Sequence, residues 1–176
     1  SCIHPTICKL LGTSHKPTID LMRRSRIVKG VKRVHVSSGI RMDLANLDQE
    51  YIEELAAHHV GGHLKVAPEH TSDVVLNLMK KPSRASFDEF AARFGRASSK
   101  AGKKQYLVPY FIASHPGSDV ADMIELAIFL KQRGYRPRQV QDFIPAPMDV
   151  ATCMYYAGLD PMTMQPVETA KKLKDR

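Results

Sequence analysis

The sequence predicts an α/β fold in which parallel βα units form part of a barrel. Four stretches with the character of strands alternate with stretches of helical periodicity, and this spacing is typical of a parallel sheet. Each predicted strand ends in unusual residues, whereas its other end carries ordinary surface residues. No G-x-G-x-x-G motif follows any strand, which argues against a dinucleotide-binding fold. We therefore expect functional loops at the carboxyl ends of the strands.

The first third of the chain is predicted to contain a loop, a helix and a strand. Residues 1–16 show no clear periodicity and are predicted to form a loop. Apolar residues at helical spacing predict a short amphipathic helix over residues 18–28. Valines alternate with polar and charged residues in residues 32–37, which indicates the first strand.

The middle of the chain continues this alternation. Asn46 or Asp48 is expected to cap the next helix, which two glycines end. Residues 63–67 form the second predicted strand because Leu64, Val66 and Ala67 give this stretch an apolar, strand-like character. A short helix over residues 73–81 follows and stops before a proline.

The last part of the chain supplies the remaining two strands. Ser86 begins a predicted capping box before a helix with an aromatic stripe. Residues 106–112 are apolar almost throughout, as in a strand that is covered on both faces. Ser118 or Asp119 is expected to cap a strongly amphipathic helix, and residues 139–144 are the fourth predicted strand.

Composition indicates a soluble globular protein. The 176 residues can bury one core and are 43% apolar and 25% charged. No run approaches the length of a membrane span, and the three cysteines form no repeated framework, so we expect a cytoplasmic location. The net charge of +8 is compatible with nucleic-acid binding, although the basic residues are scattered. Because the chain lacks a starting Met, we expect it to be a piece of a longer protein.

Polar residues cluster where the predicted strands end. In a parallel sheet these ends meet at one edge, and enzymes of βα architecture place their chemistry there. The second strand is notable because it ends in a carboxylate and an imidazole just before a helix. The candidate residues are Ser37, Ser38, Arg41, Glu69, His70, Ser114, His115 and Asp142.

Several of these segments resemble the YgiQ-type family of radical S-adenosylmethionine enzymes. The similarity covers nearly the whole chain. It is clearest in the segments H-H-V-G-G-H-L-K-V-A-P-E-H-T-S, Q-Y-L-V-P-Y-F-I-A-S-H-P-G-S and V-Q-D-F-I-P-A-P-M. V-S-S-G-I-R-M-D-L-A and C-M-Y-Y-A-G fit the same family.

The resemblance implies a fold, a cofactor pair and a reaction. The fold would be the later part, about four strands, of a partial (β/α)6 TIM-like barrel over residues 17–150. Residues 1–16 would form a cysteine-containing loop segment, and residues 151–176 a C-terminal extension. A [4Fe–4S] cluster and S-adenosylmethionine would generate a 5′-deoxyadenosyl radical that abstracts hydrogen from an unknown substrate. An external electron donor such as flavodoxin or ferredoxin would be needed.

The resemblance also suggests roles for residues at the strand ends. Ser38 and Glu69 are the candidates for contacts with the ribose or the methionine part of the cofactor. Arg41, His115 and Asp142 would face the substrate or the cofactor, and Pro145 to Pro147 would lie near the adenine.

The cysteines depart from the family pattern. The superfamily holds its cluster with C-x-x-x-C-x-x-C, which Cys2, Cys8 and Cys153 cannot form. We therefore expect the cluster ligands upstream of this chain, and the fragment alone to be inactive. Cys2 and Cys8 are candidates for an auxiliary cluster or metal site.

Two other functions remain open from the residues alone. The first is a metal-dependent barrel hydrolase whose ligands would be His70, His115, Glu69 and Asp142. The second is a basic nucleic-acid-binding module, although the phenylalanines follow a helix instead of forming a stacking platform.

Overall fold

A computed structural model describes residues 2–137 and 140–172 and has a mixed α/β architecture. Residue 139 of the fourth predicted strand and residues 173–176 of the predicted extension lie outside the described part. The strands are β1 (His63–Glu69), β2 (Tyr106–Ala113) and β3 (Val140–Asp142). The helices are α1 (Lys16–Arg26), α2 (Met42–Ala45), α3 (Gln49–Glu54), α4 (Asp73–Leu78), α5 (Arg84–Lys100), α6 (Val120–Arg133) and α7 (Val150–Ala157).

The three strands form a parallel sheet in the order β1-β2-β3. His63 lies opposite Tyr106 in the first pair, and Ala113 lies opposite Asp142 in the second. Helices α4 and α5 connect β1 to β2, and α6 connects β2 to β3. The predicted α/β class with a parallel sheet is confirmed.

The first predicted strand, residues 32–37, is not a regular strand. The Val36 amide donates to the carbonyl of His59 (2.9 Å), which lies at the end of a π-helical turn that continues α3. Pairing with β1 is limited to a single parallel bridge between Ile40 and Val66. The alternating pattern alone therefore predicted a strand wrongly, because a strand also requires hydrogen bonds to an adjacent strand along its length.

Helices cover one face of the sheet. Leu64 and Val66 of β1 and Phe111 of β2 are almost completely buried in the main hydrophobic core. Phe90 and Phe94 of α5 belong to the same core, with their rings 6.0 Å apart. The alternate residues of β1, namely His63, Lys65 and Ala67, are exposed. Since successive side chains point to opposite faces, the second face of the described sheet is open.

Two helix starts show how local hydrogen bonds decide the boundaries. The Asp119 carboxylate accepts from the amide of Asp122 (2.8 Å), which forms a capping box at α6, as expected for Asp119. The capping box predicted at Ser86 is wrong, because α5 already begins at Arg84. There the Asp73 carboxylate accepts from the Arg84 amide (2.8 Å) and satisfies a free donor of the first turn.

In the described residues, no helix has the length and apolar character required to cross a membrane.

Candidate functional site

A cleft of about 520 Å³ lies at the carboxyl edge of the sheet. Glu69, His115 and Asp142 come from the ends of β1, β2 and β3 or directly after them, and all three line this carboxyl-edge cleft. Arg41, the residue just before α2, also lines this cleft. The fold thus brings together four residues that lie far apart in the sequence.

Glu69 is held in an unusual backbone conformation at the end of β1. The register between β1 and β2 shifts between Val66 and Glu69, and Glu69 has φ +65°. Pro68 lies within this shift and has no amide hydrogen to donate to the ladder. The Glu69 carboxylate, which is largely buried, accepts a hydrogen bond from the Lys81 ammonium (2.8 Å).

Lys81 is a cleft residue that the sequence did not identify. Its amide donates to the carbonyl of Leu76 (2.9 Å), in a turn after α4 where Lys80 has φ +56°. Lys81 and Glu69 together give the carboxyl-edge cleft a fixed ammonium and a fixed carboxylate. The sequence shows only a pair of lysines near a helix end, which is ordinary for a helix C-terminus.

His115 is buried and is oriented by its own backbone neighbour. Its Nδ1 donates to the carbonyl of Pro116 (2.8 Å), and its ring packs edge-on against Phe143 with centroids 5.1 Å apart. Burial lowers the pKa of His115. At neutral pH the ring is therefore uncharged, and with the proton on Nδ1 its Nε2 is a hydrogen-bond acceptor.

His70 is turned away from the cleft. It is 1% exposed and is not among the described residues that line the cleft. Its Nδ1 accepts from the Ser72 amide (3.0 Å), so the proton is on Nε2, which donates to the Ser118 hydroxyl (3.3 Å). Burial lowers the pKa of His70 and keeps the ring neutral. His70 therefore joins the start of α4 to the loop after β2.

Charged and polar groups at the cleft rim are partly engaged with one another. The Arg41 guanidinium donates two hydrogen bonds to the Asp43 carboxylate (3.1 and 2.8 Å). Tyr110 donates to the side chain of Gln141, which also lines the cleft. Partial burial and the charge of Glu69 raise the pKa of Tyr110, so its hydroxyl stays protonated at neutral pH.

Two predicted residues lie outside this group. Neither Ser38 nor Pro145 is among the described lining residues, and both are exposed. Ser38 precedes Gly39, whose position would bring a Cβ to 3.7 Å from the Lys65 carbonyl on β1. Pro145 follows Ile144, which does line the cleft.

The N-terminal cysteine loop lies beside the cleft. The Cys8 amide donates to the carbonyl of Cys2 (2.7 Å), and both thiols are free and their residues exposed. Ile3 lines the cleft, and His4 Nε2 lies 3.0 Å from Asn77 Oδ1 on α4. Within the described ranges, no three His, Cys, Asp or Glu side chains are grouped for a metal ion.

The chain is similar to part of several longer proteins. The chain is 53% identical over 162 residues to a UPF0313 protein of Vibrio vulnificus (strain YJ016), covering 92% of this chain. It is 50% identical over 162 residues to the UPF0313 protein YgiQ of Escherichia coli (strain K12), again covering 92% of the chain. The chain is similar to part of the UPF0313 proteins. Residues 138–176 also match a domain of unknown function, DUF3362.

The similarity covers only a part of the UPF0313 relatives. The chain spans 21% of the Vibrio vulnificus protein and 22% of the Escherichia coli protein. The UPF0313 names state no activity, so they do not decide what the carboxyl-edge cleft does. The cleft residues Arg41, Glu69, His115 and Asp142 lie within the segments that resemble the YgiQ-type family.

Proposed function

We propose that this chain is part of a radical S-adenosylmethionine enzyme and that its carboxyl-edge cleft holds the cofactor. The observation that supports the proposal is the convergence of Arg41, Glu69, His115 and Asp142 in one cleft. The resemblance to radical S-adenosylmethionine enzymes singles out these four residues together with Ser38 and Pro145, which do not line the cleft. Similarity to a protein named YgiQ agrees with that resemblance.

A partial (β/α)6 TIM-like barrel accounts for the open face of the sheet. In a barrel, helices cover the outer face, while the inner face looks onto the other strands and the ligand. The helices described here cover the face of Leu64 and Val66. The opposite face, which carries Lys65 and Tyr106, is exposed. We propose that the described sheet is the later part of such a barrel.

The donors and acceptors of the cleft suit a zwitterionic nucleoside cofactor. A carboxylate such as that of Glu69 accepts hydrogen bonds from ribose hydroxyls or from an ammonium group. The Lys81 ammonium and the Arg41 guanidinium can pair with the carboxylate of the methionine part. The uncharged His115 ring offers an acceptor at Nε2. These residues would bind and orient S-adenosylmethionine.

The chemistry itself would come from the cofactor. S-adenosylmethionine held by these residues would, on one-electron reduction, yield methionine and a 5′-deoxyadenosyl radical that takes a hydrogen atom from the substrate. Because the cysteines of this chain do not provide C-x-x-x-C-x-x-C, the cluster ligands would have to lie elsewhere in a longer protein. The cluster would receive its electron from an external donor such as flavodoxin or ferredoxin, in the cytoplasm. An auxiliary site at Cys2 and Cys8 stays a prediction.

The test uses the full-length protein that carries this sequence. It is reconstituted anaerobically with iron and sulfide, reduced with dithionite and mixed with S-adenosylmethionine. We expect 5′-deoxyadenosine and methionine, both measured by mass spectrometry. Protein that binds no iron–sulfur cluster and releases no 5′-deoxyadenosine would contradict the proposal.

The role of Glu69 is tested by Glu69→Gln in the same assay and in binding measurements. The expected increase in the Kd for S-adenosylmethionine is about tenfold or more, because a hydrogen bond to a charged group contributes about 1.5–3 kcal/mol. Glu125→Gln is the matched control, since Glu125 is exposed on α6 and does not line the cleft. Equal effects of the two substitutions on the Kd would show that Glu69 does not bind S-adenosylmethionine.

A further inference from the structure

A second cavity, of about 580 Å³, lies at the opposite edge of the sheet. Gly61 and Gln105 line it and shortly precede β1 and β2, so we name it the amino-edge cavity. Its lining includes five side chains with permanent positive charge and, among the described residues, no Asp or Glu. The five are Arg26, Lys32, Arg33, Lys103 and Lys104.

Three chain segments that form the cavity are tied together by hydrogen bonds. The Lys103 ammonium donates to the carbonyl of Ala57 (2.6 Å), next to the cavity. The Gln105 side-chain amide donates to the carbonyls of Ala56 (3.0 Å) and Val60 (2.8 Å). The loop before β2 is therefore fixed to the π-helical turn after α3. A pre-formed site loses less entropy when it binds a ligand.

The segment before α2 is fixed to the same turn. His59, which is fully buried, donates from Nδ1 to the carbonyl of Val34 (2.8 Å), and its own carbonyl accepts from the Val36 amide (2.9 Å). These two bonds place Lys32 and Arg33 beside the cavity. The segment is thus held by hydrogen bonds even though it forms no regular strand.

At one wall of the cavity, Arg26 is paired with a buried carboxylate. The Arg26 guanidinium donates to the buried carboxylate of Glu54 (2.7 Å). Arg23 donates to the same carboxylate (2.8 Å) and also pairs with Glu50 (2.9 Å), so two carboxylates serve the two guanidinium groups. The Arg26 Nε is buried and has no hydrogen-bond partner among the described residues. Glu54 thus fixes Arg26 in place and pairs with its charge, so the excess positive charge of the cavity comes from its other four cations.

The other four cations of the cavity supply its unpaired positive charge. In the part of the chain that the structure describes, Lys32, Arg33, Lys103 and Lys104 form no ion pair with a carboxylate. Lys103 is engaged only with a neutral carbonyl. Like charges that converge without counter-charges raise the local potential and attract an anion.

We propose that the amino-edge cavity binds the phosphate groups of a nucleotide or of an oligonucleotide. Guanidinium groups match phosphate oxygens in pairs, and ammonium groups add compact positive charge. The volume falls within the roughly 300–1,000 Å³ that is typical of pockets for small ligands. The proposal is independent of the cofactor proposed for the carboxyl-edge cleft, because the two sites lie at opposite edges of the sheet.

The test compares two double variants of the chain that lose the same charge. Arg33→Gln with Lys104→Gln removes an arginine and a lysine from the cavity. Arg96→Gln with Lys131→Gln removes the same types from exposed positions on α5 and α6. Binding of a fluorescein-labelled single-stranded RNA is followed by anisotropy over a series of salt concentrations, and circular dichroism checks the fold. ATP and inorganic triphosphate are titrated in parallel.

The cavity variant should weaken RNA binding by about tenfold or more and lower the salt slope by about 1.4, since each contact with a single-stranded phosphate contributes about 0.7. The surface variant should retain most of the affinity. Nucleotide binding with the same sensitivity to the cavity variant would identify a free nucleotide as the ligand. Equal losses in the two variants, no binding of any phosphate probe, or oligoglutamate binding as tight as RNA binding would overturn the proposal. The double variant Arg33→Lys with Lys104→Arg keeps both positive charges, so it should bind RNA about as tightly as the wild type.

Discussion

Replacing Glu54 with Gln removes a negative charge and keeps nearly the same side-chain shape. Glu54 is 6% exposed and accepts hydrogen bonds from Arg23 (2.8 Å) and Arg26 (2.7 Å). The Nε2 of His59 lies 3.3 Å from the same carboxylate. Burial alone would raise the pKa of Glu54, but the hydrogen bond from Arg23 and the charge of Arg26 outweigh burial and hold this pKa below its ordinary value.

The size of the effect follows from the exposure of the partners. Removing one partner from a fully buried ion pair costs about 3–5 kcal/mol. Here the side chains of Arg23 and Arg26 are 45% and 30% exposed, so water can solvate them after the substitution. We therefore expect Glu54→Gln to lower the free energy of unfolding by about 2 kcal/mol. For a chain of this size that corresponds to a decrease in Tm of about 4–8 °C.

The assay is urea and thermal unfolding followed by circular dichroism at neutral and acidic pH. Glu53→Gln is the control, because the neighbouring Glu53 pairs with an exposed Lys100 and should matter much less. A carboxyl whose folded pKa is lowered stabilises the protein above its unfolded pKa, and this contribution is lost as pH falls through the folded value. The gap between wild type and Glu54→Gln should therefore shrink below about pH 4. Equal effects of the two substitutions, or a gap that grows with acid, would refute the reasoning.

Two further substitutions test the backbone and the buried histidines. Gly117→Ala should lower the Tm more than Gly134→Ala does. Both glycines have positive φ, but only at Gly117 would an added Cβ clash with Leu78 Cδ1. Equal decreases in Tm would contradict this. The stability of the wild type should fall as pH drops from 7 to 5, since the pKa of His115 is lowered by burial and the unfolded state takes up the proton first. His115→Asn should reduce that fall in urea titrations, and an unchanged pH dependence would count against a buried neutral ring.

Much of the fold could be predicted from local patterns. Strands β1 and β2 follow from their apolar residues, and Asp48 and Asp119 are caps because their carboxylates accept from nearby amides, Tyr51 N (3.1 Å) and Asp122 N (2.8 Å). The convergence of strand ends at one edge follows from the parallel connections alone. These features depend on contacts within a few residues or on topology.

Other features depend on contacts that no local pattern reveals. Residues 32–37 alternate like a strand, yet Val36 bonds to the end of a helix. Helix α7 (Val150–Ala157) contains β-branched and aromatic residues that favour strands, and its start is set by Asp149, which accepts from the Ala151 amide (3.0 Å). The pairing of Lys81 with Glu69 depends on the turn after α4. In each case distant or turn-specific geometry overrides the sequence signal.

The most direct test of the account is an anaerobic crystal structure of the full-length protein with S-adenosylmethionine. The account predicts the cofactor in the carboxyl-edge cleft, with its polar groups in contact with the Glu69 carboxylate and His115 Nε2. S-adenosylmethionine bound at another place, with Glu69 still paired only with Lys81, would contradict it.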